Sequence, residues 1–507
     1  MWLSWNVILL LIASALSRTF YWLVLYPRLF TPFRHLPTPT RRWPLTGSQT
    51  SLFGEHPWDV ARHVAETVPN TGLIRYYIGF SNERLLVTSP KAISDVLVQG
   101  ESVFRRTDLD RFILERFSGN GLGLMSGEEH QIHKKILLSA FTNTHIRALI
   151  PTFWAKTTEM ISGIEPFLEL NTHPISLRNW GTRVTLDIIG VAGLGYDFGT
   201  LQNPTNELSR QYHKMLQEPG KAFSFLQLLA NYVDTRVLLK VPIRKNIELN
   251  QGSSYLRRVA RDIIRHRIQE PEAIKGQEKD IISVALASGI FSEQNLIDHV
   301  QTFIIAGHES SATAFEWTMF EIGKRPEMQT RLRDEIRAYI PSLHGNSDAL
   351  LSRVIESMPY LNAVCSEILR FHAFLPLGMR VASKDTRILD TPVPKGTIVE
   401  FCAHATNHDK TLWGPDAEQF NPERWMAPKQ SKSGGSSSNF ALMTFSAGPK
   451  NCIGQLWART ELACLLAGVV GRFQVELVDP DATEVAYGKT MKLKKAVYAR
   501  LKRVEGW

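Results

Sequence analysis

The feature that most constrains the fold is a stretch near the carboxyl end, residues 445–454, in which a single cysteine, Cys452, stands just before a predicted helix. That helix, residues 455–470, is rich in small and apolar residues. The free N–H groups and the dipole at a helix amino terminus stabilise a thiolate, the form of cysteine that binds metals. The stretch therefore predicts a thiolate site at the start of a buried helix.

The residues around this cysteine favour a flat, acidic ligand. Gly448 and Gly454 remove side chains where such a ligand would approach the backbone, and Lys450 adds a cation beside it. A lone cysteine is more often a small buried hydrophobe, and we assign the three others to that class. They are Cys365, Cys402 and Cys464. Four cysteines in 507 residues form no disulfide framework, which favours a reducing environment.

The net charge of +9 suggests a nucleic-acid or membrane partner, until its distribution is considered. The first 54 residues carry +5 and the last 20 carry +6, so the body between them is slightly acidic. We therefore expect no nucleic-acid partner. Among the terminal lysines, Lys492, Lys494 and Lys495 are expected to mark an exposed strand or hairpin.

The amino terminus predicts a membrane anchor. Residues 2–26 are almost continuously apolar, with Arg18 as their single charge, and a helix of this length spans about 36 Å. Arginines follow the run, so the positive-inside rule places the remainder in the cytosol. A cleaved signal peptide is the alternative, since Ala13-Ser14-Ala15 resembles a cleavage site, but no Lys or Arg precedes the apolar run.

The residue patterns along the body predict a mainly α fold with a minor β portion. Long apolar helices are predicted at 182–195 and 296–324 and an amphipathic one at 328–340. Strands are predicted at 73–79, 84–88, 378–381, 397–401 and 491–501. Length alone suggests about three domains. The predicted divisions are an anchor at 1–26, a stiff, non-helical, proline-rich linker at 27–50 and a domain at 51–507.

Four motifs in order resemble those of the cytochrome P450 family. They are Ala306-Gly307-His308-Glu309-Ser310-Ser311, Glu367-Ile368-Leu369-Arg370, Phe420-Asn421-Pro422-Glu423-Arg424-Trp425 and Phe445-Ser446-Ala447-Gly448-Pro449-Lys450-Asn451-Cys452-Ile453-Gly454. The last resembles the family's haem-ligand signature, with Lys450 where the family usually has Arg. The resemblance extends from about residue 37 to the carboxyl end and implies one large helical domain that encloses a haem, in place of three domains.

The resemblance also implies the site residues. Cys452 would be the axial ligand of haem b, and cations and polar groups would meet the haem propionates. The haem-binding set it implies is His130, Lys134, Ala306, Gly307, Arg380, Phe445, Gly448, Lys450 and Gly454. For His130 and Lys134, a solvated basic helix end is the alternative. Glu367, Arg370 and Arg424 would form a buried structural triad that braces the cysteine loop.

Glu309 and Ser310 would be the catalytic pair, which delivers protons for oxygen activation, with Gly307 admitting oxygen to the helix. Ser replaces the family's usual Thr at position 310. Both Ser310 and Ser311 have an alternative, in which each hydroxyl bonds back to a carbonyl one turn earlier.

The implied activity is monooxygenation of a lipophilic small molecule, with NADPH electrons delivered by a separate cytochrome P450 reductase and with cytochrome b5 as a further electron donor. The resemblance to fungal members implies a terpenoid, polyketide or alkaloid substrate and an endoplasmic reticulum membrane. Substrate contacts are expected from segments 104–125, 202–241, 303–313 and 374–379. The alternatives are a haem-thiolate isomerase or dehydratase that needs no reductase, and a non-catalytic haem- or ligand-binding protein.

Overall fold

The computed structural model describes residues 4–40, 43, 46–49, 56–79, 81–99, 102–170, 173–218, 220–269, 280–428, 430–486 and 490–507. Its α-helices are α1 (Ser4–Phe20), α2 (Pro57–Thr67), α3 (Pro90–Val98), α4 (Asp108–Ser118), α5 (Gly127–Leu137), α6 (Asn143–Leu170), α7 (Leu177–Ile188), α8 (Glu207–Leu216), α9 (Lys221–Leu229), α10 (Thr235–Leu238), α11 (Arg244–Gln269), α12 (Ile281–Ser288), α13 (Glu293–Gly323), α14 (Pro326–Tyr339), α15 (Asp348–Val354), α16 (Pro359–Phe371), α17 (Ala403–Asn407), α18 (Lys410–Trp413) and α19 (Gln455–Arg472). Helix dominates, as the sequence predicts.

The strands form a minor part of the fold. They are β1 (Leu73–Ile78), β2 (Asn82–Val87), β3 (Phe104–Arg105), β4 (Ile175–Ser176), β5 (Leu377–Ala382), β6 (Thr386–Ile388), β7 (Thr391–Val393), β8 (Ile398–Cys402), β9 (Phe473–Leu477) and β10 (Tyr498–Arg503). One sheet has the order β1-β2-β8-β5-β3, a second has β4-β10-β9, and β6 pairs with β7. The pairing of β1 with β2 is antiparallel, which confirms the predicted hairpin.

The strand predicted at 491–501 is only partly correct. The described strand there is Tyr498–Arg503. Before it, Leu493 forms an isolated antiparallel bridge with Val485, and other residues bond to a helix. The Trp317 indole N–H donates to the Met491 carbonyl at 2.8 Å, and the Val497 N–H donates to Glu316 at 2.9 Å. This segment is therefore fastened to α13.

Helix α13 is the centre of the molecule. It begins after Ser292, whose side chain accepts from the Asn295 N–H in a capping box, and it ends before Pro326. It packs against α4, α7, α11 and α19. One hydrophobic core runs from Ile113 to Leu501 through these helices, as expected for a single large helical domain.

The apolar amino-terminal helix is longer than predicted. After α1 it continues as a π-helical segment, Tyr21–Phe30, that contains Pro27, so residues 27–30 are not the non-helical linker expected. A proline within a helix is not unique to this segment, since α6 contains Pro151 and Pro166. The span Trp5–Phe30 is long and apolar enough to cross a membrane.

Part of the proline-rich segment belongs to the folded body, which differs from the predicted stiff spacer. Phe33 is buried in the hydrophobic cluster beside the five-stranded sheet. The Arg75 N–H donates to the Pro37 carbonyl at 2.9 Å, and Tyr77 donates its hydroxyl to the Pro27 carbonyl at 3.2 Å. These contacts attach the end of the apolar helix to β1.

A buried histidine pair fastens α5 and the loop before it to α13. The Leu122 N–H donates to His299 Nδ1 at 3.3 Å, so His299 carries its proton on Nε2, which lies 3.0 Å from His133 Nδ1. Both rings contact Phe291. Burial, and then His133, lower the pKa of His299 to about 3, so the pair is neutral at physiological pH.

Replacing His299 with Gln is expected to make stability less dependent on pH. The folded-state pKa of His299 lies below its unfolded value of about 6.5. The contribution of the neutral histidine to the free energy of unfolding is therefore complete above pH 6.5 and is lost as pH falls towards 3. Between pH 6.5 and 5 the loss is about 1.5 kcal/mol. Urea unfolding at both pH values measures it, with His173→Gln, at an exposed histidine, as the control. An unchanged pH slope in His299→Gln would contradict the prediction.

Candidate active site

The cysteine loop is built against the end of α3. The Cys452 N–H donates to the Phe445 carbonyl at 2.9 Å, which closes the loop before α19 begins. Gly448 has a φ of +74°, and a Cβ there would lie 2.3 Å from the Leu97 carbonyl oxygen. A side chain at this position would therefore displace the loop from α3, which gives the predicted glycine a packing reason.

Cys452 differs from the other cysteines in its exposure to solvent. The residue is exposed, whereas the other three cysteines are buried. Burial nevertheless raises the pKa of the Cys452 thiol, against smaller opposing effects from the Gly454 N–H and Lys134. The predicted helix-terminus effect is thus present but outweighed, so a stable thiolate needs a further positive charge, which a bound metal supplies.

The middle of α13 contains a second exposed residue. Ala306 is exposed although Ile304 and His308, on either side, are buried. The Ser311 hydroxyl donates to Glu461 of α19 at 2.6 Å, which marks where the two helices meet. Ala306 lies about 8 Å along α13 from this contact and Cys452 lies just before α19, so the two exposed residues belong to the two helices that meet here.

Gly307 packs against α7 on another face of α13. A Cβ there would lie 2.8 Å from the Ile189 side chain, so close helix packing accounts for the glycine. Gly454 has more room, because its Cβ would lie 3.8 Å from Phe141 and 4.0 Å from Cys452 Sγ. The predicted role of Gly307 in admitting oxygen stays a prediction.

Ser310 and Glu309 point to different partners. The Ser310 hydroxyl donates to the Ala306 carbonyl at 2.7 Å, the back-bonded arrangement weighed from the sequence. Ser311 does not back-bond, since its hydroxyl is used by Glu461. Glu309 Oε1 lies 3.5 Å from the Lys492 ammonium, a partner that sequence reasoning missed.

Two of the predicted haem-binding residues, Lys134 and Lys450, lie beside Cys452. Lys134 donates to the Pro449 carbonyl and to Asn451 Oδ1, each at 2.7 Å, and Lys450 donates to the Met125 carbonyl. The two lysines therefore tie the region of α5 to the cysteine loop in both directions. Lys134 also donates to the Asn451 carbonyl at 3.4 Å, so its three N–H donors all meet the cysteine loop and its positive charge lies near Cys452.

His130 joins this group as a neutral donor. Burial, and then the charges of Lys450 and Lys134, lower its pKa to about 4, so it is not the cation expected from the sequence. A neutral imidazole still donates one N–H. Arg380 is contributed by β5, where it donates to the Met379 carbonyl at 2.8 Å and lies over the Phe401 ring.

Glu367, Arg370 and Arg424 form one buried network. Arg370 donates twice to Glu367, at 2.9 and 2.7 Å, and Arg424 donates to the same carboxylate at 3.2 Å. The remaining donors of Arg370 bond to three backbone carbonyls, so all five of its N–H groups are satisfied. The Trp425 indole N–H also donates to Glu367, at 2.9 Å.

Asn407 connects this network to the cysteine loop and was not identified from the sequence. Its amide donates to the Arg370 carbonyl at 2.9 Å and to the Thr444 hydroxyl at 2.8 Å, and its oxygen accepts from the Met443 N–H at 2.8 Å. A lone asparagine at a short helix end carries no recognisable sequence signal. Its contacts fix the two residues that precede Phe445.

These residues fit the flat iron porphyrin that the resemblance implies. The thiol is accessible, the facing helix presents a small residue, Ala306, and Lys134, Lys450 and His130 supply donors near the thiol. A sulfur ligand with nearby ammonium groups suits a metal centre whose macrocycle carries carboxylates.

The sequence model of the family described as cytochrome P450 matches residues 37–501. The chain is 49% identical to cytochrome P450 monooxygenase FSL4 of Gibberella zeae, over 99% of this chain and 95% of that protein. It is 43% identical to cytochrome P450 monooxygenase sphH of Aspergillus fumigatus, over 98% and 93% of the two chains. It is 36% identical to cytochrome P450 monooxygenase FUM15 of Gibberella moniliformis, over 90% and 85%. The chain therefore belongs to the cytochrome P450 family, as an oxygen-incorporating oxidoreductase whose cofactor is haem b.

Proposed function

We propose that this monooxygenase holds its haem iron through the Cys452 thiolate and oxidises a lipophilic secondary metabolite. The observation that carries the assignment is that Cys452, just before α19, is exposed, as is Ala306 alone within the stretch 300–308 of α13. The proposal places the haem in a cleft between these two residues. His130, Lys134, Arg380 and Lys450 hold the propionates.

Haem bound in this cleft supplies the activation of molecular oxygen. The protein supplies protons and positioning. Ser310 keeps its hydroxyl proton on the Ala306 carbonyl, so its oxygen lone pairs remain available to accept a hydrogen bond from water. Glu309, one residue away, supplies a carboxylate that can pass protons on. We assign these two residues to proton delivery into the cleft.

The substrate is proposed to be apolar because two predicted contact segments meet around an apolar pocket. The pocket lies between α4, α9 and α10, and its side chains nearly fill it, since its cavity volume is about 10 Å³. Its lining includes Leu109, Ile113, Phe223, Leu226, Leu238 and Leu239. Such a lining favours the carbon skeleton of a terpenoid, polyketide or alkaloid over a charged metabolite.

Electrons are proposed to come from NADPH through a separate cytochrome P450 reductase, with cytochrome b5 as a further donor. The span Trp5–Phe30 is proposed as a single-pass anchor in the endoplasmic reticulum, with the catalytic domain in the cytosol because Arg34, Arg41 and Arg42 follow the span. Lys135 is exposed and suits docking of an acidic partner. Arg459 suits it less, since it bonds to Ser366 and lies over Phe445.

Consumption of NADPH and oxygen by the purified protein with purified reductase tests the proposal. We expect both to be consumed, and a small-molecule library to contain lipophilic compounds that shift the haem spectrum and become oxygenated. Conversion of an oxygenated compound without reductase would favour an isomerase or dehydratase. Ligand binding with no oxygen consumption would favour a non-catalytic protein.

A further inference from the structure

Lys492 turns into the protein, although its sequence context groups it with exposed lysines. Lys494 and Lys495 are exposed, whereas the Lys492 side chain is 21% exposed. Its ammonium lies 3.5 Å from Glu309 Oε1 on α13 and donates to the Leu216 carbonyl at the end of α8, at 3.2 Å. Lys492 thus joins the carboxyl-terminal segment to two helices that border the proposed site.

The backbone on both sides of Lys492 is held in place. Trp317 donates to the Met491 carbonyl at 2.8 Å, and the Met491 N–H donates to the Phe374 carbonyl at 2.9 Å. Arg178 donates to the Leu493 carbonyl. A side chain that leaves such a fixed backbone loses less entropy on meeting its partner than one on a free loop.

Among the residues that the structure describes, the other groups around Glu309 carry no positive charge. The Thr490 hydroxyl lies 3.5 Å from Glu309 Oε1. Burial and then Glu309 raise the pKa of Tyr212, so its phenol stays protonated. Burial lowers the pKa of His308, whose ring lies 4.5 Å from that of Tyr212. Lys492 is therefore the cation that faces the Glu309 carboxylate in this half-buried surrounding, where Coulomb attraction is stronger than in water.

We propose that Lys492 is a positioning residue for proton delivery: its ammonium holds the Glu309 carboxylate in the orientation from which protons enter the cleft. This inference rests on the proposed function, in which Glu309 supplies those protons. Lys492 acts through Glu309 and touches neither substrate nor haem. We expect the loss of Lys492 to change the product formed from oxygen. Release of partly reduced oxygen as peroxide competes with the proton delivery that completes its reduction to water.

Oxygen has two measurable fates when no substrate is oxidised. One O2 with one NADPH and one H⁺ gives one H2O2 and NADP⁺. One O2 with two NADPH and two H⁺ gives two H2O and two NADP⁺. The ratio of peroxide formed to NADPH consumed therefore reports on proton delivery, and measuring it requires no known substrate.

The experiment uses the full chain with reductase, NADPH and oxygen, and compares Lys492→Met with wild type. We expect the peroxide yield per NADPH to rise about threefold, because a displaced general acid–base group loses part of its rate contribution. Lys492→Arg, which keeps the cation, should stay close to wild type. Lys495→Met removes an equal charge from an exposed neighbour and should change nothing. Lys492→Gln replaces Lys492→Met if that variant does not fold.

A double variant separates positioning from a general structural effect. If Lys492 acts through Glu309, then adding Lys492→Met to Glu309→Gln should not raise the peroxide yield further. An unchanged yield in Lys492→Met with the carbon monoxide spectrum intact would overturn the inference and leave the proposed function standing. An additive double variant would overturn it as well. No oxygen consumption by the wild type would overturn the proposed function, and this inference with it.

Discussion

A Cys452→Ala variant is expected to lose the carbon monoxide difference band of thiolate-ligated haem, while the wild type displays it. The thiol is the accessible sulfur at the cleft, and the three other cysteines are buried. Alanine leaves the loop hydrogen bond from position 452 to the Phe445 carbonyl unchanged, since that bond uses the backbone N–H. The expected change is therefore loss of the iron ligand without loss of the loop.

Cys464→Ala is the matched control, because Cys464 lies in α19, the helix that follows Cys452, and is completely buried. Burial raises the pKa of its thiol well above the usual value, so it stays a neutral packing group. The control should retain the band. If Cys452→Ala and the control both keep the band, or if the wild type lacks it, the assignment of Cys452 as the haem ligand is wrong.

Glu367→Gln is expected to destabilise the protein by about 3–5 kcal/mol, because it leaves Arg370 and Arg424 buried without their shared carboxylate. Such a loss is a large share of the roughly 5–15 kcal/mol that stabilises a folded domain. Glu367 is fully buried and accepts from both arginines, from the Trp425 indole and from the Asn421 N–H. Chemical unfolding, followed together with haem content, measures the effect.

Glu423→Gln provides the comparison for that loss. Glu423 lies in the same motif but pairs with Arg331 at the surface, where both side chains are about half exposed. Exposed pairs contribute roughly 0–1 kcal/mol, so this variant should unfold almost as the wild type does. Equal destabilisation by the two substitutions would show that burial of Glu367 is not what matters.

The sequence predicted the elements whose pattern is local. The β1–β2 hairpin, α13 and α19 lie where alternation, apolar runs and capping residues indicated them. It failed at the apolar helix, which continues through Pro27 to Phe30. It was only partly right at residues 491–497, where Leu493 forms an isolated bridge with Val485 and α13 bonds to Met491 and Val497. Both errors arise because distant partners, or an unusual turn, replaced the preferred local structure.

The residues of the candidate site also fall into those that the sequence predicted and those that it did not. Glu367, Arg370 and Arg424 were recognised because their motifs have fixed spacing, and the geometry brings them together. Asn407 and Lys492 were not, because one asparagine and one lysine leave no pattern until the chain folds. His130 was recognised but taken as a cation, and only its burial beside two lysines makes it neutral.

The sequence by itself determined the family, the haem-binding cysteine loop as a candidate, the mainly helical fold and the apolar amino terminus. Each of these depends on residue type and spacing along the chain. Only the tertiary structure decided which groups are charged and what they face. In the folded protein His130 is neutral, and Lys492 lies beside Glu309. At Cys452, burial raises the pKa of the thiol, whereas the helix terminus lowers it. The physical reason is that protonation and pairing depend on desolvation and on neighbours from distant segments, which only folding brings within reach.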